Sequence, residues 1–171
     1  MAFIRTKKIK GSEYAYIAEN TWKKRGKKVK QKTKKYLGRV YRFSRINTMD
    51  FFEFYKIQDI NKYIEERTKE QILLDLIKLE LHNYGFENKD NIWQKDNILF
   101  DIKNKAPKNE KNKSVALAFN QGFLTDYAVK KILNFIAEDE EDGYLLAKMF
   151  VEAGINIPKE IFVGFYRKVF K

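Results

Sequence analysis

Two aspartates and a lysine in the middle of the chain have the side-chain types of a magnesium-dependent nuclease. Asp96 is followed by Asp101-Ile102-Lys103, and we expect the two acids on adjacent strands. Carboxylates placed in this way can hold Mg²⁺, and a nearby lysine can help to position the attacking water. The acids are close together in sequence for such a site, however, and Asp-x-Lys arises readily by chance in a chain with 35 Lys and Arg residues. A nuclease that uses Asp96, Asp101 and Lys103 is therefore the third hypothesis.

Other catalytic patterns are missing from the sequence. It has no Walker loop and no GxGxxG, HExxH or GxSxG motif, and His82 is its only histidine. The lack of cysteine excludes a disulfide framework and cysteine-ligated zinc. We therefore predict a non-enzymatic protein with no cofactor and no metal.

A row of lysines in the N-terminal quarter carries the main functional signal. Lys28, Lys30, Lys32 and Lys34 fall on every second position. Because strand side chains alternate between the two sides, a strand would direct all four ammonium groups to one face. Such a row repels itself unless an anion lies against it. A phosphate backbone is the obvious partner, since its neutralisation releases condensed counterions.

The positive charge is concentrated near the N-terminus. Residues 1–45 hold 16 Lys and Arg residues against the acids Glu13 and Glu19, whereas residues 46–171 hold 19 basic and 21 acidic residues. This asymmetry predicts a dedicated electrostatic unit attached to an ordinary body. We assign residues 1–45 to a basic nucleic-acid-binding β-meander and residues 46–171 to an α+β body.

Alternating residues and turn signals predict three antiparallel strands in the first unit. Residues 2–9, 13–22 and 27–36 form the strands, and Lys10-Gly11-Ser12 and residues 23–26 form the turns. Tyr14 and Tyr16 share one side of the second strand, where they either stack on bases or fill a core.

These residues resemble the basic β-module at the N-terminus of insertion-sequence DDE transposases. The resemblance covers residues 2–40 and rests on Phe3-Ile4-Arg5, Lys7-Lys8-Ile9-Lys10-Gly11, Tyr14-Ala15-Tyr16, the run from Gly26 to Thr33, and Lys35-Tyr36-Leu37-Gly38. It implies a nucleic-acid-contacting arm. Transposition is not implied, because the rest of the chain is too short for an RNase-H-like core and offers no acidic triad.

The body is predicted to consist of a helix, a β-hairpin and three further helices. The aromatic residues of 42–58 are expected to pack into the core. Asp59 and a capping box of Thr68 and Gln71 begin helices, and Gly85 ends the longer one.

The hairpin and the last helices complete the α+β prediction. Residues 98–103 and 114–119 form the hairpin, with the polar residues between them as its loop. Thr125 caps a helix over 126–137, Gly154 ends the next one, and Pro158 begins the last. The three helices form a packed bundle or a surface for a protein partner.

We expect a nucleic-acid-binding protein, with DNA favoured because a three-stranded sheet can lay one face into the major groove. The predicted phosphate contacts are Arg5, Lys7, Lys24, Arg25, Lys28, Lys30, Lys32, Lys34 and Arg39. The alternative is an RNA-binding, ribosome-associated structural or regulatory factor, since lysine rows suit RNA equally well. No apolar run approaches the roughly 18 to 20 residues that span a bilayer, so we expect a cytoplasmic protein without a membrane partner.

Overall fold

The computed structural model describes residues 2–23 and 28–170, which adopt an α+β fold. The strands of the predicted meander are β1 (Ala2–Ile9), β2 (Ser12–Lys23) and β3 (Lys28–Arg42). Lys10 and Gly11 have φ values of 48° and 79° in the turn between β1 and β2. Two positive values in succession are what a two-residue hairpin turn of type I′ requires. The second predicted turn falls largely on residues 24–27, outside the described residues.

Three helices follow the meander, and their ends match the sequence signals. They are α1 (Phe51–Phe54), α2 (Ile60–Glu66) and α3 (Lys69–Asn83). Asp59 caps α2 by accepting a hydrogen bond from the Lys62 amide, and Thr68 and Gln71 form the reciprocal capping box of α3. Gly85, with φ of 79°, follows the end of α3. Its freedom to adopt positive φ explains why the helix stops there.

A four-stranded antiparallel sheet forms the middle of the chain. Its strands, in spatial order, are β4 (Glu87–Lys89), β5 (Ile92–Lys95), β6 (Ile98–Asp101) and β7 (Ala106–Asn109). The prediction that residues 98–103 pair with residues 114–119 is wrong, because β6 pairs with β7 inside the expected loop. Asp101, the last residue of β6, starts the turn to β7 by accepting a hydrogen bond from the Lys103 amide. Pro107 fits because β7 is an edge strand, where a missing N–H is tolerated.

Two later strands extend the N-terminal sheet. β8 (Val115–Phe119) lies parallel to β3, and β9 (Gly122–Leu124) pairs antiparallel with β8, which gives the order β1-β2-β3-β8-β9. Gly38 permits this close approach, since a Cβ built there would lie 2.7 Å from the Val115 Cα and closer still to the Ser114 carbonyl oxygen. The division of the chain at residue 45 stays a prediction, and the first sheet takes strands from both sides of it.

Three helices end the described chain. They are α4 (Asp126–Leu133), α5 (Asp142–Glu152) and α6 (Lys159–Val169). Thr125 caps α4 as predicted, but α4 ends at Leu133, and the Ala137 amide, expected inside the helix, donates to the Val169 carbonyl at 2.9 Å. α6 packs against α2, α3 and α5, so these helices form a bundle. In the part of the chain described, no helix is both long and apolar enough to cross a membrane.

Two apolar clusters form the interior. The larger one joins the helices, the second sheet and one side of β8, and it includes Phe51 at 1% exposure. Other aromatic residues of the connector, Phe43, Phe52, Phe54 and Tyr55, pack against it. Core packing is therefore the role of these rings, as predicted. The smaller cluster lies on the opposite side of the first sheet and consists of Ala15, Ile17, Leu37, Val40 and Ala116.

A buried carboxylate ties α2 to α3. Asp75 is 3% exposed and accepts a hydrogen bond from the Tyr63 hydroxyl at 2.8 Å. Nitrogen atoms of Arg67 and Lys78 each lie 3.3 Å from its oxygen atoms. A buried carboxylate is tolerated when it is paired and hydrogen-bonded in this way.

Replacing Tyr63 by phenylalanine should change how stability depends on alkaline pH. Burial raises the pKa of Tyr63 above its ordinary value of 10.0, and the Asp75 carboxylate raises it further. As the pH rises, Tyr63 therefore ionises first in the unfolded chain. The stability that its protonated hydroxyl contributes is complete below the unfolded pKa of 10.0 and is lost as the pH rises from there towards the raised pKa of the folded state. We expect Tyr63→Phe to lower the free energy of unfolding by about 1 to 2 kcal/mol at neutral pH. The substitution should also make the fall of the unfolding free energy at alkaline pH shallower by about 1.4 kcal/mol per pH unit. Denaturant unfolding of both proteins from about pH 8 to 12 measures this, and parallel pH curves would contradict it.

Candidate nucleic-acid interface

The strand register divides the N-terminal sheet into two different sides. Directly paired residues of antiparallel strands project to the same side. Ile17, which belongs to the smaller core cluster, pairs with Lys35, and farther along Glu19 pairs with Lys32 and Thr21 with Lys30. We call the part of this side beyond the core cluster the lysine face, formed by Lys30, Lys32, Lys34 and Lys35. The other side is the tyrosine face, formed by Arg5, Lys7, Tyr14, Tyr16, Tyr36 and Arg39.

The lysine face begins beside β1 and continues past its end. Lys32 pairs with Glu19, the last residue of β2 that pairs with β1, and Lys30 lies beyond it. The last pair of β1 with β2 is Ala2 with Glu19, so beyond it β2 and β3 continue as a two-stranded ribbon. Lys30 and Lys32 are exposed, and within the described residues neither has a carboxylate within salt-bridge distance. Four cations therefore share this surface with one acid, Glu19.

A bulge in β3 alters the simple alternation of the lysine row. Ile17 pairs with Lys35 and Ala18 with Thr33, so Lys34 is an extra residue that opposes no single partner. Its Nζ atom nevertheless lies 3.0 Å from Glu19 Oε2, which keeps it on the lysine face. Lys35 joins the same face because of the bulge, and the sequence pattern did not identify it. Leu37 is the extra residue of a second bulge, and both Leu37 and Val40 belong to the smaller core cluster.

The tyrosine face combines aromatic rings with cations. Arg5 pairs with Tyr16, and Lys7 pairs with Tyr14. The Lys7 Nζ atom lies 5.3 Å from the centroid of the Tyr16 ring, a cation–π distance. The Tyr36 ring is 5.4 Å from that of Tyr16 and inclined to it by 54°. Burial and the neighbouring tyrosines raise the pKa of Tyr36, so its hydroxyl stays protonated at neutral pH.

The predicted phosphate contacts do not all meet on one surface. Lys30, Lys32 and Lys34 lie on the lysine face, whereas Arg5, Lys7 and Arg39 lie on the tyrosine face. Lys28 belongs to β3, but its side chain is not among the described ones, and Lys24 and Arg25 lie outside the described residues. For Arg5 and Lys7, the two-residue turn at Lys10 and Gly11 indicated this split, because it fixes which residues of β1 face those of β2.

The residues of the nuclease hypothesis are not brought together. Asp96 lies in the turn before β6 and Asp101 at the far end of that strand, about 10 Å along it. One Asp101 oxygen accepts from the Lys103 amide, and the other accepts from the side chain of Asn104. The carboxylate thus closes its own turn, and the Lys103 side chain is exposed. Across residues 2–23 and 28–170, no group of three or more His, Asp or Glu side chains could hold a metal ion.

Comparison of the chain with protein-family models, curated proteins and solved structures gives no match. The resemblance to the transposase β-module therefore rests on the N-terminal sequence alone and stays a prediction.

Proposed function

We propose that this protein binds nucleic acid without acting as an enzyme, and that it contacts the phosphate backbone through the lysine face. The observation that supports this most is the set of four lysines on one side of β3, with Glu19 of the paired strand β2 beside them. Alternate residues of a strand are about 6.6 Å apart, so the ammonium groups of Lys30 and Lys32 repel each other unless an anion lies between them.

Duplex DNA is the favoured ligand because of the ribbon's shape. Lys30 lies where the sheet has narrowed to the two strands β2 and β3, and the major groove of B-DNA admits a two-stranded ribbon. The major groove of A-form RNA is too narrow for such an element. Lysine supplies charge without the paired donors that read base edges, so the contacts are expected to position the protein rather than to select a sequence.

A salt series with matched lysine variants tests the proposal. Fluorescence anisotropy with labelled duplex DNA between about 50 and 200 mM salt should give a linear fall of log K with log salt, at about 0.9 for each phosphate contact. The double variant Lys30→Gln/Lys32→Gln should reduce the magnitude of this slope by about 2 and weaken binding to unrelated sequences equally.

The control is Lys111→Gln/Lys113→Gln, which removes two exposed lysines with the same spacing from the segment between β7 and β8. It should leave both slope and affinity close to those of the unmodified protein. Salt-independent binding, or equal losses in the two double variants, would contradict the proposal. Structured RNA measured in parallel decides the ligand, since tighter binding of RNA at equal salt would replace DNA by RNA.

A further inference from the structure

The tyrosine face has no core beneath it. Tyr14, Tyr16 and Tyr36 belong to neither apolar cluster, and the smaller cluster lies on the other side of the same strands. Tyr36 is 53% exposed, and Ile9, on the same side of β1, is 47% exposed. Large apolar side chains gathered on an open sheet surface mark an interaction site more often than chance exposure does.

The charge of this face fits a polyanion. Arg5, Lys7 and Arg39 are all exposed. The two acids of residues 1–45, Glu13 and Glu19, pair with Lys8 and Lys32 and therefore project to the opposite side of the sheet. Among the described residues of β1, β2 and β3, the charged side chains that share this face with the rings are therefore all cations, which matches a ligand that carries both flat apolar groups and phosphates.

The three tyrosine rings of this face lie close together and are inclined to one another. Tyr36 lies between Tyr14, at 6.3 Å and 44°, and Tyr16, at 5.4 Å and 54°. Neither pair is stacked face to face, in contrast to the buried rings of Tyr84 and Phe119, which lie 4.2 Å apart at 13°. Because the tyrosines stand on paired strands, their positions are fixed before a ligand arrives, which limits the entropy lost on binding.

We propose that the tyrosine face binds single-stranded nucleic acid, with unpaired bases stacked on Tyr36 and Tyr16 and phosphates neutralised by Arg5, Lys7 and Arg39. This inference rests on the proposed function and adds that the ligand includes unpaired nucleotides. Bases in a duplex cannot present their faces in this way, whereas bases of a single strand stack on aromatic side chains with little regard to sequence. The two sides of the sheet therefore have different tasks, since the lysine face requires only phosphates.

Comparing three ligands separates base stacking from charge. The ligands are an oligothymidylate of about 15 nucleotides, an abasic strand of equal length and charge, and a short duplex. The unmodified protein should bind the oligothymidylate at least tenfold more tightly than the abasic strand. Tyr36→Leu should remove most of that difference and leave duplex binding unchanged. Tyr144→Leu is the matched control, because it removes a ring that is 76% exposed on α5.

Each outcome distinguishes the inference from the proposed function. Equal affinity of the unmodified protein for oligothymidylate and abasic strand would overturn the inference, while salt-dependent duplex binding would still uphold the proposed function. Equal effects of Tyr36→Leu and Tyr144→Leu would also overturn it. Absence of binding to all three ligands would overturn both. Tyr36 is half exposed and lies outside the core clusters, and a denaturant unfolding curve of the variant confirms that it is folded.

Discussion

Replacing Gly38 by alanine is expected to lower the free energy of unfolding by about 3 to 5 kcal/mol. Gly38 has φ of 133°, in a region that residues with a Cβ rarely enter. The new Cβ would also meet the backbone of β8, at 2.7 Å from the Val115 Cα and closer still to the Ser114 carbonyl oxygen. Since both contacts are backbone atoms, no side chain can turn away, and β3 and β8 must separate.

Gly11→Ala is the control for the backbone part of this effect. Gly11 also has positive φ, at 79°, but nothing lies within 4 Å of the Cβ that alanine would add. Its cost should be about 1 kcal/mol, as expected for a left-handed conformation alone. Denaturant unfolding of the two variants measures the difference, which is the cost of forcing β8 away from β3. Equal losses would show that the two strands are not held together as closely as described.

Truncation of Phe119 to alanine should cost about 3 to 5 kcal/mol of unfolding free energy. Phe119 is fully buried at the end of β8, where its ring stacks on Tyr84 at 4.2 Å and meets the edge of Phe86 at 6.0 Å. Alanine would lose both ring contacts and leave a cavity between β8 and α3. The surrounding strands are held by pairing and the helices by packing, so the cavity can close only in part.

The same truncation at Phe123 should cost less than half as much. Phe123 belongs to the neighbouring strand β9, but it is only partly buried and packs beside the smaller cluster. The comparison keeps the residue type and the sheet constant and changes only the burial. Thermal or denaturant unfolding of both variants gives the ratio. A loss at Phe123 as large as that at Phe119 would contradict the assignment of Phe119 to the main core.

Local signals predicted the helices of this chain well. The capping box of Thr68 and Gln71 and the caps at Asp59 and Thr125 each act over three residues, and all three are present in the structure. The end of α4 was not predictable in this way, because the helix stops at Leu133 and the Ala137 amide bonds with Val169, far away in sequence.

Pairing between distant segments explains the errors in the sheets. Val115–Phe119 has the composition of a strand, but nothing in its sequence indicates that it pairs with β3 in parallel. Pro107 and its polar neighbours have the composition of a loop, so β7 was not predicted as a strand. At the candidate site, alternation correctly placed Lys30 and Lys32 together, since that rule needs only the strand itself. The bulge at Lys34 depends on how β2 and β3 match along their length.

The parallel pairing of β3 with β8 also determines the order in which the chain can assemble during synthesis. β3 is complete when Arg42 leaves the ribosome, long before Val115 is made. Until then, the β3 edge of the nascent meander is open, in addition to the outer edge of β1, and another chain can extend it by mispairing. Bringing β8 to β3 is slow because the long chain segment between them loses conformational entropy before the contact forms. The lysine face lies on this same strand, and repulsion between its lysines disfavours the pairing of two nascent copies along this edge before β8 is available.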